Sequence, residues 1–319
     1  IIGLTIELLI LVVFGTAPAF FVALVANFAM NFGFSFVETA VNVMPTLTES
    51  ERSAHSAMNL VHMSFSLGAF VGPLLIGIYL GATGEWRPIM FFAMIPTGLL
   101  LLWTPAVRFP RRVPAVAHSA NPFFHLASVL KLRYAVLGSL TLLFYVGAEV
   151  SISSWVVYYL QKQLGLGAVA SASGLSILWL FILIGRYLNS VLGNRYSSLA
   201  LVAGSGVGGA IGVVAFLFAR SIVPAYILLG WIGLCLAGGF PNVMAELNNR
   251  DPEKTGTVTA VIVTGAAIGA GVFQWFVGYL AETVSLTAAF VTPAVLQLLV
   301  VGSFAGALGR GAWRRKLTR

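Results

Sequence analysis

Charge is what this sequence has least of. Asp, Glu, Lys and Arg make up 9% of its 319 residues, where a soluble domain carries about 25%. So few charged groups cannot cover a globular surface, which excludes a soluble fold. Cysteine is nearly absent: Cys235 stands alone, so no intrachain disulfide can form. No Met and no basic stretch precede the first apolar run, "IIGLTIELLILVVFG", so the start is not a secretory signal. It reads as a helix entered part-way, and the sequence as a fragment with earlier helices before Ile1. No glycine loop closed by Lys-Ser/Thr is present, so ATP drive has no support. No His/Cys/Asp cluster has metal spacing, and no serine sits in the glycine frame of hydrolases. Neither a cofactor nor an enzyme activity is expected.

Apolar residues fill the space that charge leaves. They make up 59% of the chain, and the mean hydropathy is +0.95. About 20 apolar residues span a bilayer. Ten such segments read at roughly 1–15, 19–45, 55–81, 87–107, 133–160, 169–191, 198–219, 223–246, 256–281 and 286–308. They are too long and too continuous for the alternating strands of a barrel. The expected class is an all-α integral membrane protein in contact with the lipid bilayer.

The net charge of +8 raises a nucleic-acid partner, but the placement of the charges argues against one. Alternating the segments across a membrane puts 15 Lys/Arg on one side and Arg87, Lys162 and Arg220 on the other, which together are the 18 present. The positive-inside rule makes the first side cytoplasmic. The long break at 108–132 and the C-terminus then lie in the cytoplasm, and the protein is multi-pass in the cytoplasmic (inner) membrane. The break has three prolines and reads as a linker between a bundle at 1–107 and a bundle at 133–319.

The two bundles are related. "NVM" at 42–44 recurs at 242–244, and Gly68 and Gly77 are echoed by Gly269 and Gly278. The second half has six segments and the first has four, so symmetry places two further helices before Ile1. Twelve helices in two parallel halves is a transporter plan.

These features resemble the major facilitator superfamily from its third helix to its twelfth. "GRYLNSVLGNR" at 185–195 is similar to that family's signature between helices eight and nine. "ETAVN" at 38–42, "LGAFVGPLL" at 67–75 and "YVGAEVSISSWVVYYL" at 145–160 resemble its fucose permease group of sugar:proton symporters. The resemblance implies ten of twelve helices of a major-facilitator-type bundle, with helices 1, 4, 7 and 10 lining a cavity. It implies a proton-coupling role for the helix-4 acid, the position of Glu38. It also makes Arg186 and Arg195 a cytoplasmic gate that clasps helix ends; the alternative for both is a positive-inside anchor.

The candidate site is built from polar residues in apolar segments, which are functional hypotheses by default. Glu38 has no basic residue within ten positions on either side. An unpaired buried carboxylate costs several kcal/mol unless it takes up a proton, so Glu38 is a candidate proton carrier, with Asn42 one turn away on the same face. A protonated carboxyl that only packs is the alternative. Thr141, Tyr145, Glu149 and Ser153 recur at i+4, widened by Trp155 and Tyr158, as a wall for sugar hydroxyls and a sugar face; interhelical glue is the alternative. Glu149 is also a proton-coupling candidate. Asn59 and His62 share a helical face, and His62 suits proton relay or a structural bond to a carbonyl. Asn242, by its match to Asn42, and Gln274 with Trp275 complete the substrate-binding set. The expected activity is sugar:proton symport by alternating access, driven by a proton gradient, in a monomer. A proton-coupled exporter of the same fold and a membrane solute sensor stand as alternatives.

Overall fold

The computed structural model describes residues 1–48, 51–107, 122–193, 195–248, 250 and 255–309, without the side chains of 39, 42–48, 51–61, 122–125, 248 and 255. The side chains of Asn42 and Asn59, most of the 108–132 linker and the basic tail after 309 therefore lie outside what the structure describes. Lipid offers no hydrogen bonds to a backbone, so an apolar chain satisfies its own amides and carbonyls as helices. The helices are α1 (Ile2–Gly15), α2 (Phe20–Thr48), α3 (Glu51–Thr83), α4 (Arg87–Trp103), α5 (Pro122–Leu130), α6 (Arg133–Leu164) and α7 (Ala168–Leu192). There follow α8 (Ser198–Phe216), α9 (Ile222–Leu236), α10 (Gly239–Asn248), α11 (Thr255–Thr283), α12 (Leu286–Ala289) and α13 (Val291–Leu308). No strand occurs among the described residues.

Nine spans among the described residues are long and apolar enough to cross a membrane. The first expected segment, α1, has only 14 residues, about 21 Å of helix. Local chemistry sets several ends. Gly165, at φ +65°, closes α6 in the left-handed conformation that glycine adopts without a Cβ clash. Ser197 and Ser285 cap α8 and α12 by accepting from the amides of Ala200 (3.2 Å) and Ala288 (3.0 Å). Arg250 donates to the carbonyls of Ala307 (2.9 Å) and Leu308 (3.3 Å), so a positive-inside residue also closes the end of α13.

The segment expected as one helix at 223–246 is two. α9 stops at Leu236, Ala237 and Gly238 turn, and α10 starts at Gly239. The cause is "AGGFP" at 237–241. Two glycines weaken the helix, and Pro241 lacks the amide that would bond back to Ala237.

The chain divides into two compact units, Ile1–Phe65 with Ile78–His118, and Ser66–Gly77 with Ser119–Arg319. In the first, α1 packs against α2 and α4. In the second, α6 is central and packs against α11, α13, α7 and α10. A side chain at Gly265 or Gly269 of α11 would meet the α6 backbone at Ser139 and Leu143, so these glycines let two helices touch at backbone distance. Tyr159 of α6 lies between Phe290 and Phe216, with centroids 4.4 and 5.1 Å away.

Candidate functional site

A polar cluster in an apolar setting lies in the second unit, where α6 faces the break between α9 and α10. Tyr145 and Glu149 are one turn apart on α6, and the Tyr145 hydroxyl lies 2.5 Å from Glu149 Oε2. The same hydroxyl reaches the carbonyl of Leu236, the last residue of α9, and the amide of Phe240 in the first turn of α10. One phenol oxygen thus meets a carbonyl at the end of α9 and an amide at the start of α10. The ring fits because residue 239 is glycine: a Cβ there would collide with it.

Glu149 has a counter-charge. Arg186 of α7 is close enough for its guanidinium to act electrostatically on the carboxylate. Its Nη1 also donates to Ser66 Oγ of α3 at 2.5 Å. One turn on, Asn189 donates to the Gly185 carbonyl (3.0 Å) and accepts from Asn242 Nδ2 (3.1 Å). A side chain at Gly238 would strike Asn189. Both glycines of the break therefore seat a polar side chain from a neighbouring helix. Two polar groups thus flank the break: carboxylate, phenol and guanidinium on α6 and α7, and an amide pair between α7 and α10. Sequence spacing carried Tyr145, Glu149 and Asn242. Asn189, and Arg186 as the partner of Glu149, were beyond it, because both lie on another helix.

The remaining candidates fall at several places. Trp155 donates from Nε1 to the backbone carbonyl of Gln274 at 3.1 Å, and its ring edge meets Gly278. Tyr158 stands edge-on to Trp155 at 6.0 Å and carries the Lys162 ammonium over its face. Ser153 has a buried hydroxyl with no hydrogen-bond partner among the described residues. Gln274 and Trp275 are exposed, and Trp275 stacks on Tyr279 at 5.7 Å. Arg195 is exposed beyond α7. Glu246, on α10, accepts from Ser198 at 2.8 Å.

In the first unit Glu38 is exposed on α2, and His62 is half-buried on α3. A cavity of about 390 Å³ lies between α1, α2 and α4. Its polar lining is Glu7, Asn31 and Thr97; Glu38 is not part of it. No group of three or more His, Cys, Asp or Glu able to hold a metal occurs among the described residues.

Comparison with known proteins adds three findings. Residues 1–274 match the family described as the Major Facilitator Superfamily. The chain is 27% identical over 269 residues to a putative glucose/galactose transporter of Helicobacter pylori, covering 76% of this chain and 63% of that protein. It is 25% identical to a glucose/galactose transporter of Brucella abortus, over 89% of this chain and 70% of the relative. In fold it is similar to the E. coli fucose:proton symporter FucP, with TM-score 0.68 and 19% identity, over 95% of this chain and 81% of the other. The chain thus spans less than two thirds of the length of its H. pylori relative.

Proposed function

Because the chain belongs to the Major Facilitator Superfamily, we propose that it carries a small polar solute, a hexose or similar sugar, across the cytoplasmic membrane together with protons. The observation that carries this is the Glu149–Arg186–Tyr145 cluster. An ionisable side chain on a spanning helix is costly, and such groups mark solute and ion pathways. Sugars are bound by polar groups that fix hydroxyls and by aromatic faces. Ser153, with Trp155 and Tyr158 next along α6, offers both. The glucose/galactose transporters among the relatives favour a hexose.

In this reading the mechanism is alternating access by a monomer. Glu38 and Glu149 are the proton-coupling groups, one in each unit, with His62 a candidate relay. A carboxyl that is neutral in one state and charged in another ties solute movement to the proton gradient, because the neutral form is cheaper to bury. Arg186 acts as the standing counter-charge of Glu149. The 15-to-3 division of basic residues supports a cytoplasmic central linker and C-terminus.

The test is uptake of a panel of labelled sugars into proteoliposomes with and without an inward proton gradient. Accumulation of glucose or galactose above the equilibrium level, abolished by a protonophore, is expected. Extrusion of solute under the same gradient would make the protein an exporter. Binding without any flux would make it a sensor.

A further inference from the structure

The Tyr145 hydroxyl has one proton and two acceptors. Glu149 Oε2 is 2.5 Å away, and the Leu236 carbonyl is within hydrogen-bond distance on the other side. The phenol oxygen is also within reach of the Phe240 amide. A phenol donates once, so it cannot serve both acceptors together. We propose that Tyr145 is a positioning residue that pins the break between α9 and α10, and that the protonation of Glu149 decides whether the pin holds. This rests on the reading of Glu149 as a proton-coupling group.

The donors and acceptors around the phenol pair differently in the two states of Glu149. When Glu149 is ionised its oxygen is the stronger acceptor, since hydrogen bonds to a charged group are about twice as strong as neutral ones. The phenol proton then points to Glu149, and the Leu236 carbonyl loses its donor. When Glu149 is protonated, its own O–H donates to the phenol oxygen. The phenol proton is then released to the Leu236 carbonyl while the Phe240 amide still donates to the phenol. Every group is satisfied in this second arrangement, and α9 and α10 are tied through one side chain. In the first, the end of α9 is free of Tyr145 and the break can bend. The proton bound by Glu149 is thereby converted into the stiffness of a spanning helix pair, with no covalent change.

The surroundings suit this role. Arg186 is the charged group that acts on Glu149. On the other helices packed against α6, Glu246 is held by Ser198, and Tyr187, Tyr279 and Glu282 are exposed; His125 of α5 lies outside the described side chains. The glycine at 239 is what admits the Tyr145 ring to the break, and Pro241 offers no amide to bond back to Ala237.

The experiment is hydrogen–deuterium exchange of the segment 235–243 in lipid nanodiscs across pH, with each rate divided by the intrinsic chemical rate. No solute or gradient is present. The wild-type segment should show a single-proton step, with exchange about fivefold slower on the acid side, the scale of one hydrogen bond. Glu149→Gln keeps a neutral donor beside the phenol, so exchange should stay slow at every pH. Tyr145→Phe removes the pin and should leave exchange fast at every pH, with α8 and α13 unchanged. A pH step that survives in either variant, or its absence in the wild type, overturns the proposal. If Tyr145→Phe does not fold, the Glu149→Gln profile alone decides. Because transport is not measured here, a negative result leaves the symport reading standing, and a failure of sugar uptake leaves this result standing.

Discussion

The two units of this chain treat the same apolar composition differently. In the second unit, half of the most apolar window of α6 and 56% of that of the α9–α10 span is buried inside the protein; in the first, the share is 11% for α2 and zero for α4. Phe20, Phe21 and Phe28 of α2 are 83%, 72% and 78% exposed, whereas Phe216, Phe290 and Phe304 are almost fully buried. Hydropathy cannot separate these cases, because lipid and a protein core are equally apolar. Small residues mark the packed faces in both units, and in the first Gly3 and Gly33 let α1 and α2 meet at backbone distance. Gly147, Gly265 and Gly269 bring α6 and α11 to backbone distance, and polar groups in that setting find partners on neighbouring helices. The outward face of α2 has no such demand on shape.

The comparison can be broken by mutation. The largest expected effect is at Tyr159, wedged between Phe216 and Phe290. Tyr159→Ala should cost about 4 kcal/mol of stability, read as a fall in thermal midpoint in detergent. Gly269→Leu drives a side chain into the Leu143 carbonyl and should cost about 3 kcal/mol through overpacking. Trp155→Ala should leave the fold largely intact but weaken sugar binding by roughly three- to tenfold, the range of one aromatic contact, read by ligand-dependent Trp fluorescence or calorimetry. Phe28→Ala on the exposed face of α2 should change stability by less than about 0.5 kcal/mol. If it costs as much as Tyr159→Ala, the face of α2 is a packed interface and the contrast between the units fails.

Much of the site was legible in the sequence, for a reason tied to helix geometry. Tyr145 and Glu149 are four apart, so a helix puts them on one face, and the structure gives them a 2.5 Å hydrogen bond. What spacing cannot supply is a partner on another helix. Arg186 is 37 residues from Glu149 by the numbering, and its flanking "GRYLNSVLGNR" pointed toward a clasp at the helix end. In the structure it donates to Ser66 and lies in the field of Glu149. Asn242 was picked out by the internal repeat, but its partner Asn189 was not. The break at 237–238 was present in the sequence as "AGGFP" and was covered by the apolar window, since Gly, Ala, Phe and Pro do not lower hydropathy enough to interrupt a segment. Hydropathy reports the solvent of a segment, and only turn chemistry reports its continuity.

The central claim is that sugar and proton move together, and the most direct measurement is the external pH of a lightly buffered suspension of proteoliposomes when sugar is added. Glucose or galactose should produce an immediate alkalinisation of the medium, because each sugar entering takes protons with it. Glu38→Gln, which holds that position neutral, should abolish the pH change while sugar binding persists. Sugar uptake that proceeds at the wild-type rate with no change in external pH would contradict proton symport. An alkalinisation undiminished in Glu38→Gln would show that Glu38 is a structural acid.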